Sequence, residues 1–167
     1  MNVKARRVPA RREEKGETKT DAPAPEIDPK ATCFRLRLAY SPIHRWGIYT
    51  EELIPKGRKI IEYTGEKISR NETKRRYEER EQNYLFTLNK YWTLDGAVGG
   101  SGAQYINHSC QPNCYAQIVK DHILYKSKRA IQPGEELTID YRFDKDVDRV
   151  ACKCGMAACR GTINLKE

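Results

Sequence analysis

Three short stretches in the C-terminal half of the chain carry residue types that can do chemistry. Residues 107–113 have the order Asn-His-Ser-Cys-Gln-Pro-Asn and so place an amide beside an imidazole. Residues 134–141 contain an apolar stretch that is predicted as a strand and that ends in a tyrosine. Residues 152–159 carry three cysteines with the spacing CxCx4C. Amides and imidazoles hydrogen-bond polar ligands, a tyrosine hydroxyl can orient a reacting group, and thiolates bind zinc. We therefore expect the three stretches to meet in one site, with the thiolates holding the C-terminus beside it.

The cysteines predict a structural metal site. Cys152, Cys154 and Cys159 offer three soft ligands, whereas tetrahedral zinc takes four, and Cys110 is the nearest candidate for the fourth. Structural zinc supplies about 10–16 kcal/mol of apparent binding energy in small peptides, which would order a short tail. The alternative is that these four are unliganded thiols. Cys33 stands apart, as does the cysteine at position 114, and we expect both to be buried or half-buried small apolar side chains.

Tyr141 and His108 each have an ordinary alternative interpretation. In a strand with a period of two, Tyr141 shares a face with Leu137 and Ile139, so the side chain at 139 should line the same space. Taken alone, Tyr141 could be a packed ring with its hydroxyl at the surface, and His108 could be purely structural. Their place beside the cysteines and Asn107 favours a functional interpretation of both.

The elements that must position these residues are mostly short strands. Apolar or alternating stretches separated by Gly and Pro turns predict strands at residues 34–38, 60–63, 84–88, 91–94, 116–119, 123–125 and 137–141. One helix is predicted from Ser69 to about Gln82, because Ser69 and Glu72 form a capping box. The predicted fold class is therefore mostly β with few short helices.

Length and charge bound the organisation of the chain. Its 167 residues fit one domain plus a tail, and residues 1–30, rich in charge and proline, predict a disordered basic tail. The net charge of +8 favours phosphate-rich partners and non-specific nucleic-acid contact, although it could equally serve solubility alone. No apolar run approaches the roughly 18 residues of a membrane span, and no secretory signal is present, so we expect an intracellular protein without membrane association.

Taken together, these motifs resemble those of the SET-domain protein lysine methyltransferases. Residues 107–113 and 134–141 match that family's central motifs, and the cysteines of residues 152–159 resemble its post-SET zinc motif. Residues 43–49 resemble the family's cofactor-binding opening, and residues 62–66 and 84–86 match in order and spacing. The resemblance covers about Cys33 to Asn164.

The resemblance implies a SET β-clip fold over residues 31–143, with a knot-like C-terminal crossing, and a zinc-binding post-SET segment over residues 144–167. It also implies S-adenosylmethionine on one face and a substrate lysine in a narrow channel from the other. The residues it assigns are, for catalysis, Tyr141 and Tyr84; for the cofactor, His44, Trp46, Tyr84, Asn107, His108 and Lys153; for the channel, Ile139 and Tyr105; and for zinc, Cys110, Cys152, Cys154 and Cys159.

Three departures from the family pattern bear on function. Arg45 stands where the family commonly has glycine, and Gln104 stands where arginine is usual, so both could alter the cofactor site. Ile139 replaces an aromatic residue often found two positions before the catalytic tyrosine, and it cannot hydrogen-bond a water against the amine. The resemblance therefore predicts a channel that permits di- or trimethylation.

The leading hypothesis is a protein lysine methyltransferase acting on a basic, extended peptide such as a histone tail. The alternative is a non-catalytic, zinc-stabilised SET-like module that binds chromatin or a partner protein, which is favoured if Arg45 and Gln104 abolish cofactor binding. A DNA-binding zinc ribbon lacks a recognition helix beside its cysteines. A eukaryotic source would place the protein in the nucleus or on chromosomes, and a prokaryotic one in the cytoplasm or nucleoid.

Overall fold

A computed structural model describes residues 25–80, 83–143 and 149–165 of the chain. Over these residues the fold is mostly β, with short strands in four small sheets, one α-helix and two 3-10 helices. The strands are β1 (Leu36–Tyr40), β2 (Trp46–Thr50), β3 (Lys59–Tyr63), β4 (Glu66–Ser69), β5 (Leu85–Thr87), β6 (Trp92–Asp95), β7 (Asn107–His108), β8 (Cys114–Val119), β9 (His122–Ser127) and β10 (Thr138–Ile139). The helix, α1, spans Arg70–Glu79. The predicted mostly β fold class is confirmed, while the knot-like crossing stays a prediction.

The sheets are small and mainly antiparallel. Strands β1 and β2 pair with each other, β9 lies between β3 and β8, and β6 lies between β4 and β5. Strands β7 and β10 form a parallel pair. No helix within the described ranges is long and apolar enough to cross a membrane.

The core between the sheets is built largely from isoleucine. Ile48, Ile60, Ile61 and Ile123 are fully buried, together with the ring of Tyr125. β-Branched side chains favour the extended backbone, and each buried side chain of this size contributes about 1.5–3 kcal/mol of transfer free energy. The same residues therefore favour the strands and hold the sheets together.

Helix α1 begins where the sequence predicts it. Ser69 caps it by accepting a hydrogen bond from the Glu72 N–H at 3.3 Å, but the Glu72 carboxylate turns to Arg75 and Arg76 and does not close the reciprocal half of the box. The helix ends at Glu79, earlier than predicted, and residues 81 and 82 lie outside the described ranges.

Several expectations need correction. Cys33 is exposed, because its segment runs along the surface as it approaches β1, whereas Cys114 is buried as expected. The predicted strand at residues 137–141 forms a ladder only at Thr138–Ile139, and Tyr141 follows it in irregular backbone. Strands β2, β4 and β7 were not predicted. Polar residues obscure the pattern in β4 and β7, and the glycine at position 47 interrupts it in β2.

The inner end of the predicted tail contacts the domain. Residues 1–24 lie outside the described ranges. Residues 25–30 are ordered on the domain: Ile27 packs against the core, and the Asp28 N–H donates to the Ser101 carbonyl at 2.9 Å. A single isoleucine in a charged, proline-rich stretch gave no periodic signal.

The parallel pair β7–β10 brings the polar motifs together. Thr138 lies opposite Asn107, and Ile139 lies opposite His108. The Leu137 N–H also donates to the Ile48 carbonyl of β2 at 2.7 Å. Residues 107–113, residues 134–141 and the segment leading into β2 therefore meet at one place.

Candidate active site

An apolar cavity of about 40 Å³ lies beside the end of β10. Its lining is rich in aromatic rings and includes Tyr84, Phe86, Tyr125, Ile139 and Tyr141. Ile139 and Tyr141 therefore share one space, as the period of two predicts, whereas Leu137 is fully buried elsewhere in the core. Such a cavity can take an uncharged, elongated group and exclude water from it.

Tyr84 and Tyr141 are both held by hydrogen bonds. The Tyr141 hydroxyl donates to the Ile106 carbonyl at 2.7 Å. The Tyr84 carbonyl accepts from the Tyr63 hydroxyl and from the Gly96 N–H, the latter at 2.8 Å. These contacts hold the side chain of Tyr141 and the main chain of Tyr84 beside the cavity.

A second, smaller cavity lies next to the first. It is lined by His44, Arg45, Trp46, Tyr84, Gln104, Tyr105 and Asn107. Tyr84 and Gln104 line both cavities and so form a wall that the two spaces share. Two neighbouring cavities with a shared wall suit a reaction in which a group passes between two bound molecules.

Arg45, in the turn that leads into β2, has a left-handed backbone conformation. Its φ is 44°, in the left-handed region that favours glycine. The turn into β2 therefore has a backbone conformation that glycine adopts more readily than arginine. Gln104 accepts a hydrogen bond from the Gly102 N–H at 2.9 Å and lines both cavities with an uncharged amide.

The amide of Asn107 is oriented by three acceptors. Its Nδ2 lies 2.8 Å from Glu136 Oε1, 2.9 Å from the Trp46 carbonyl and 3.4 Å from the His44 carbonyl. Because all three of these neighbouring atoms are acceptor oxygens, the NH₂ group of Asn107 must face them. The Oδ1 atom of Asn107 then remains as the acceptor at the second cavity.

Glu136 is a site residue that the sequence did not reveal. Its carboxylate accepts from the Ser41 hydroxyl at 2.8 Å and the Tyr49 hydroxyl at 3.2 Å, in addition to Asn107. A Cβ at Gly47 would lie 2.4 Å from Glu136 Oε1, so glycine at 47 makes room for this carboxylate. Glu136 lies within the 134–141 motif, but nothing in the pattern distinguished it from the neighbouring glutamate.

Tyr105 contributes a neutral ring to the second cavity. It meets Tyr84 edge to face, with ring centroids 5.6 Å apart. Burial, together with the neighbouring Tyr84, raises the pKa of the Tyr105 hydroxyl above its ordinary value. Tyr105 borders the second cavity and not the first, so its predicted place in the substrate channel remains a prediction.

His108 lies behind the cavities, between Tyr141 and the cysteines. Its Nδ1 accepts the Tyr141 N–H at 3.1 Å, and its Nε2 lies 3.5 Å from Cys110 Sγ. Burial lowers the pKa of His108 to about 4, against the opposing effect of Asp140. A neutral ring that accepts at Nδ1 carries its proton on Nε2, so the ring donates toward Cys110. His108 lines neither cavity.

The four predicted metal ligands converge. The sulfur atoms of Cys110, Cys152, Cys154 and Cys159 all lie within 4.8 Å of one another. Cys110 Sγ lies 3.7 Å from Cys152 Sγ and 3.9 Å from Cys159 Sγ. Zinc–sulfur bonds of about 2.3 Å in a tetrahedron separate the sulfurs by about 3.8 Å, so the cluster fits zinc.

The remaining predicted residues have different surroundings. His44 and Trp46 both border the second cavity, and Trp46 remains 41% exposed. Lys153, in contrast, is exposed and lines neither cavity. The structure therefore gathers the predicted cofactor residues around one cavity, with the exception of Lys153 and His108.

Comparisons with known proteins agree with this geometry. A protein-family model described as the SET domain matches residues 45–142. The chain is 40% identical over 142 residues to a histone-lysine N-methyltransferase named as H3 lysine-4 specific from Chaetomium globosum, covering 77% of this chain and 13% of that protein. It is 41% identical over 139 residues to a protein of the same name from Mycosarcoma maydis, covering 75% of this chain and 9% of that protein.

A third relative comes from an animal. The chain is 38% identical over 138 residues to the histone-lysine N-methyltransferase set-2 of Caenorhabditis elegans, covering 77% of this chain and 9% of that protein. The chain thus spans about a tenth of the length of these relatives.

Proposed function

This chain belongs to the SET domain family, and from that premise we propose that it is an S-adenosylmethionine-dependent protein lysine methyltransferase. The observation that carries the proposal is the pair of adjoining cavities. One is apolar and aromatic, the other has polar groups, and Tyr84 and Gln104 line both. Such an arrangement holds a lysine amine on one side of a shared wall and a methyl donor on the other.

The first cavity acts on the lysine amine through its walls. A free lysine has a pKa near 10.4, and its amine must lose a proton before it can act as a nucleophile. Burial disfavours the charged ammonium, so the aromatic walls lower the pKa of a bound lysine. The Tyr141 hydroxyl, held at the Ile106 carbonyl, accepts or orients the amine beside it, and Tyr84 restricts it from the other side. Positioning therefore supplies most of the acceleration.

The second cavity fits the cofactor by the chemistry of its donor set. S-adenosylmethionine would supply an electrophilic methyl group on a sulfonium cation. Asn107 offers an oriented carbonyl oxygen to its ammonium group, the segment of His44 and Trp46 borders the same space, and the Tyr84 ring can face the cation. We propose His44, Trp46, Tyr84 and Asn107 as cofactor residues, with His108 supporting Tyr141 from behind.

The cysteine cluster would hold one structural zinc ion. Cys110 belongs to the segment after β7, and the other three ligands belong to the C-terminal tail. A metal there would supply a rigid junction between the SET domain, residues 31–143, and a post-SET segment, residues 144–167. Such a junction can order a tail that has few apolar residues of its own.

The proposed substrate is a histone tail. The relatives named above carry histone-lysine methyltransferase in their names, and two of them are named for lysine 4 of histone H3. The H3 tail is therefore the first substrate to test. A histone substrate implies a nuclear, chromatin-associated location, where the net charge of +8 would add non-specific contact with nucleic acid.

The experiment is transfer of a deuterated methyl group to core histones, located by tandem mass spectrometry. We expect labelled lysine on histone H3, with di- or trimethyl products, because Ile139 presents an aliphatic side chain to the cavity. An H3 peptide with lysine 4 replaced by arginine is the control for the site. Absence of label from every histone would contradict the proposed activity, and monomethyl lysine alone would contradict the proposed multiplicity.

The alternative is a non-catalytic SET-like module, favoured by the uncharged Gln104 and the distant Lys153. Binding of S-adenosylmethionine separates the two functions, because a non-catalytic module of this kind would not bind it. Reversion of Gln104 to arginine would then be the first change to test for recovery of binding.

A further inference from the structure

Arg160 joins the cysteine cluster to the strand that leads to Tyr141. Its guanidinium makes two hydrogen bonds to the Asp140 carboxylate, with Nη1 3.0 Å from Oδ2 and Nη2 2.8 Å from Oδ1. Nη2 also donates to the Ile163 carbonyl at 3.1 Å. The two side chains are only 19% and 21% exposed, so solvent screens this ion pair weakly.

The main chain of the same residue contacts the cluster. Arg160 directly follows Cys159, and its N–H donates to Cys110 Sγ at 3.3 Å. Asp140, at the other end of the side chain, directly precedes Tyr141. A single residue thus spans the distance between the sulfur atoms and the residue beside the cavity.

A second connection runs parallel to the first through His108. The Tyr141 N–H donates to His108 Nδ1, and His108 Nε2 faces Cys110 Sγ. The main chain around Tyr141 is therefore held from two sides by groups that meet at Cys110. A displacement of the cluster would be transmitted to residues 140 and 141 by both contacts.

We propose that Arg160 is a positioning residue, which couples the cysteine cluster to Tyr141 through Asp140. The proposal rests on the proposed function only for its effect on catalysis, since the coupling itself is a property of the folded chain. Arg160 touches neither cavity, so its role is to fix the place of Tyr141.

A different role for Arg160 would be to offset the negative charge of the thiolates. The two roles make different predictions for Arg160→Lys. Lysine keeps the charge but cannot make two parallel hydrogen bonds to one carboxylate, so it would restore charge compensation and leave the coupling impaired. Asp140→Asn removes the carboxylate partner of Arg160 and leaves Arg160 itself unchanged. It should reproduce the effect of Arg160→Gln.

Arg142 provides the matched control. Its Nε lies 3.9 Å from the same Asp140 carboxylate, but the side chain is 54% exposed and does not contact the cluster. Arg142→Gln therefore removes a positive charge near Asp140 without breaking the connection to Cys110. It should leave both the hydrogen-exchange rate of residues 137–143 and the catalytic rate unchanged.

The test is hydrogen exchange of residues 137–143 in the full chain, read by mass spectrometry, with zinc content measured on each sample. We expect Arg160→Gln and Asp140→Asn to keep one zinc per chain but to exchange faster in this segment than the wild type. In a methyl-transfer assay kcat should fall roughly ten- to hundredfold, with little change in KM for S-adenosylmethionine, because Tyr141 borders the other cavity. The double variant should be no worse than either single one.

Three results would overturn the proposal. Unchanged hydrogen exchange in the zinc-loaded variants would show that Arg160 does not couple the cluster to Tyr141. Loss of zinc from Arg160→Gln would show that Arg160 supports the metal site itself. Full recovery by Arg160→Lys would show that charge alone matters. If the wild type transferred no methyl group, the proposed function would fail, while the exchange measurement would still decide the coupling.

Discussion

Tyr141 is fixed by its main chain, its ring and its hydroxyl together. Its N–H donates to His108, its ring stacks on Phe143 with centroids 5.9 Å apart, and its hydroxyl donates to the Ile106 carbonyl. The first two contacts do not depend on the hydroxyl. Removal of that one oxygen should therefore change the chemistry of the cavity far more than its shape.

Tyr141→Phe should lower kcat by roughly 100-fold or more, because the group that orients the amine is lost. Stability should fall by only about 1 kcal/mol, the usual net value of one hydrogen bond. The measurements are methyl transfer and chemical denaturation, with Tyr115→Phe on the exposed face of β8 as the control. Full activity in Tyr141→Phe would remove this residue from the mechanism.

Two adjacent glutamates allow a test of how the Asn107 side chain is oriented. Glu136 orients Asn107, whereas Glu135 pairs with Arg129 at the surface. Glu136→Gln leaves one acceptor oxygen where the carboxylate offers two, so it cannot serve Asn107, Ser41 and Tyr49 together, and affinity for S-adenosylmethionine should fall roughly tenfold, the equivalent of about 1.4 kcal/mol. Glu135→Gln should leave it unchanged in calorimetric titration. Equal affinities for the two variants would show that Asn107 does not need Glu136.

Helix α1 is held to the sheet by a buried ion-pair cluster. The Asp95 carboxylate at the end of β6 is fully buried, and its Oδ2 accepts from Arg76 at 2.6 Å and from Arg80 at 2.7 Å. The next residue, Gly96, donates to the carbonyl of Tyr84. The cluster therefore anchors both the helix and one wall of the cavity.

Asp95→Asn should destabilise the protein by about 3 kcal/mol, because Arg76 and Arg80 both lose the buried carboxylate, although Arg76 keeps Glu66 and Glu72. Burial raises the pKa of Asp95, but hydrogen bonds from Arg76, the Ala97 N–H and Arg80 outweigh it and lower the net pKa below 3.8. The native state thus favours the carboxylate, and its stabilisation is present above pH about 4 and is lost as the pH falls through the lowered pKa.

The difference in unfolding free energy between wild type and Asp95→Asn should consequently shrink below pH about 4. Denaturation at several pH values measures it. Asp121→Asn, which removes an exposed ion pair with Lys67, is the control and should change stability by less than about 1 kcal/mol. A difference that does not vary with pH would contradict the role of the Asp95 charge.

The sequence predicted those elements whose signals are local. Ser69 and Glu72 indicated the start of α1. The CxCx4C spacing indicated a metal site, because cysteine thiolates are typical ligands of structural zinc. Strand β7 and the contacts of Glu136 arise only from pairing between distant segments, so no local pattern showed them. The exposure of Cys33 likewise depends on where its segment runs and not on its residue type.

Across the whole molecule, the C-terminal tail and the two cavities form one connected unit. The tail adds a parallel bridge between Phe143 and Asn164, and the Leu165 N–H donates to the Phe143 carbonyl at 2.9 Å. These few hydrogen bonds hold a segment that has little apolar surface. With a metal bound, we expect the cysteine cluster to hold the tail together with the Arg160–Asp140 ion pair, and its state should therefore affect the site.

Calorimetric titration of S-adenosylmethionine into the full chain, with and without prior zinc chelation, tests this account most directly. We predict one cofactor bound per chain when one zinc is present, and weakened binding after chelation, because the cluster includes Cys110, three residues after Asn107. Absence of binding by the zinc-loaded protein would contradict the proposed methyltransferase. Binding that is unaffected by chelation would contradict the dependence of the site on the cysteine cluster.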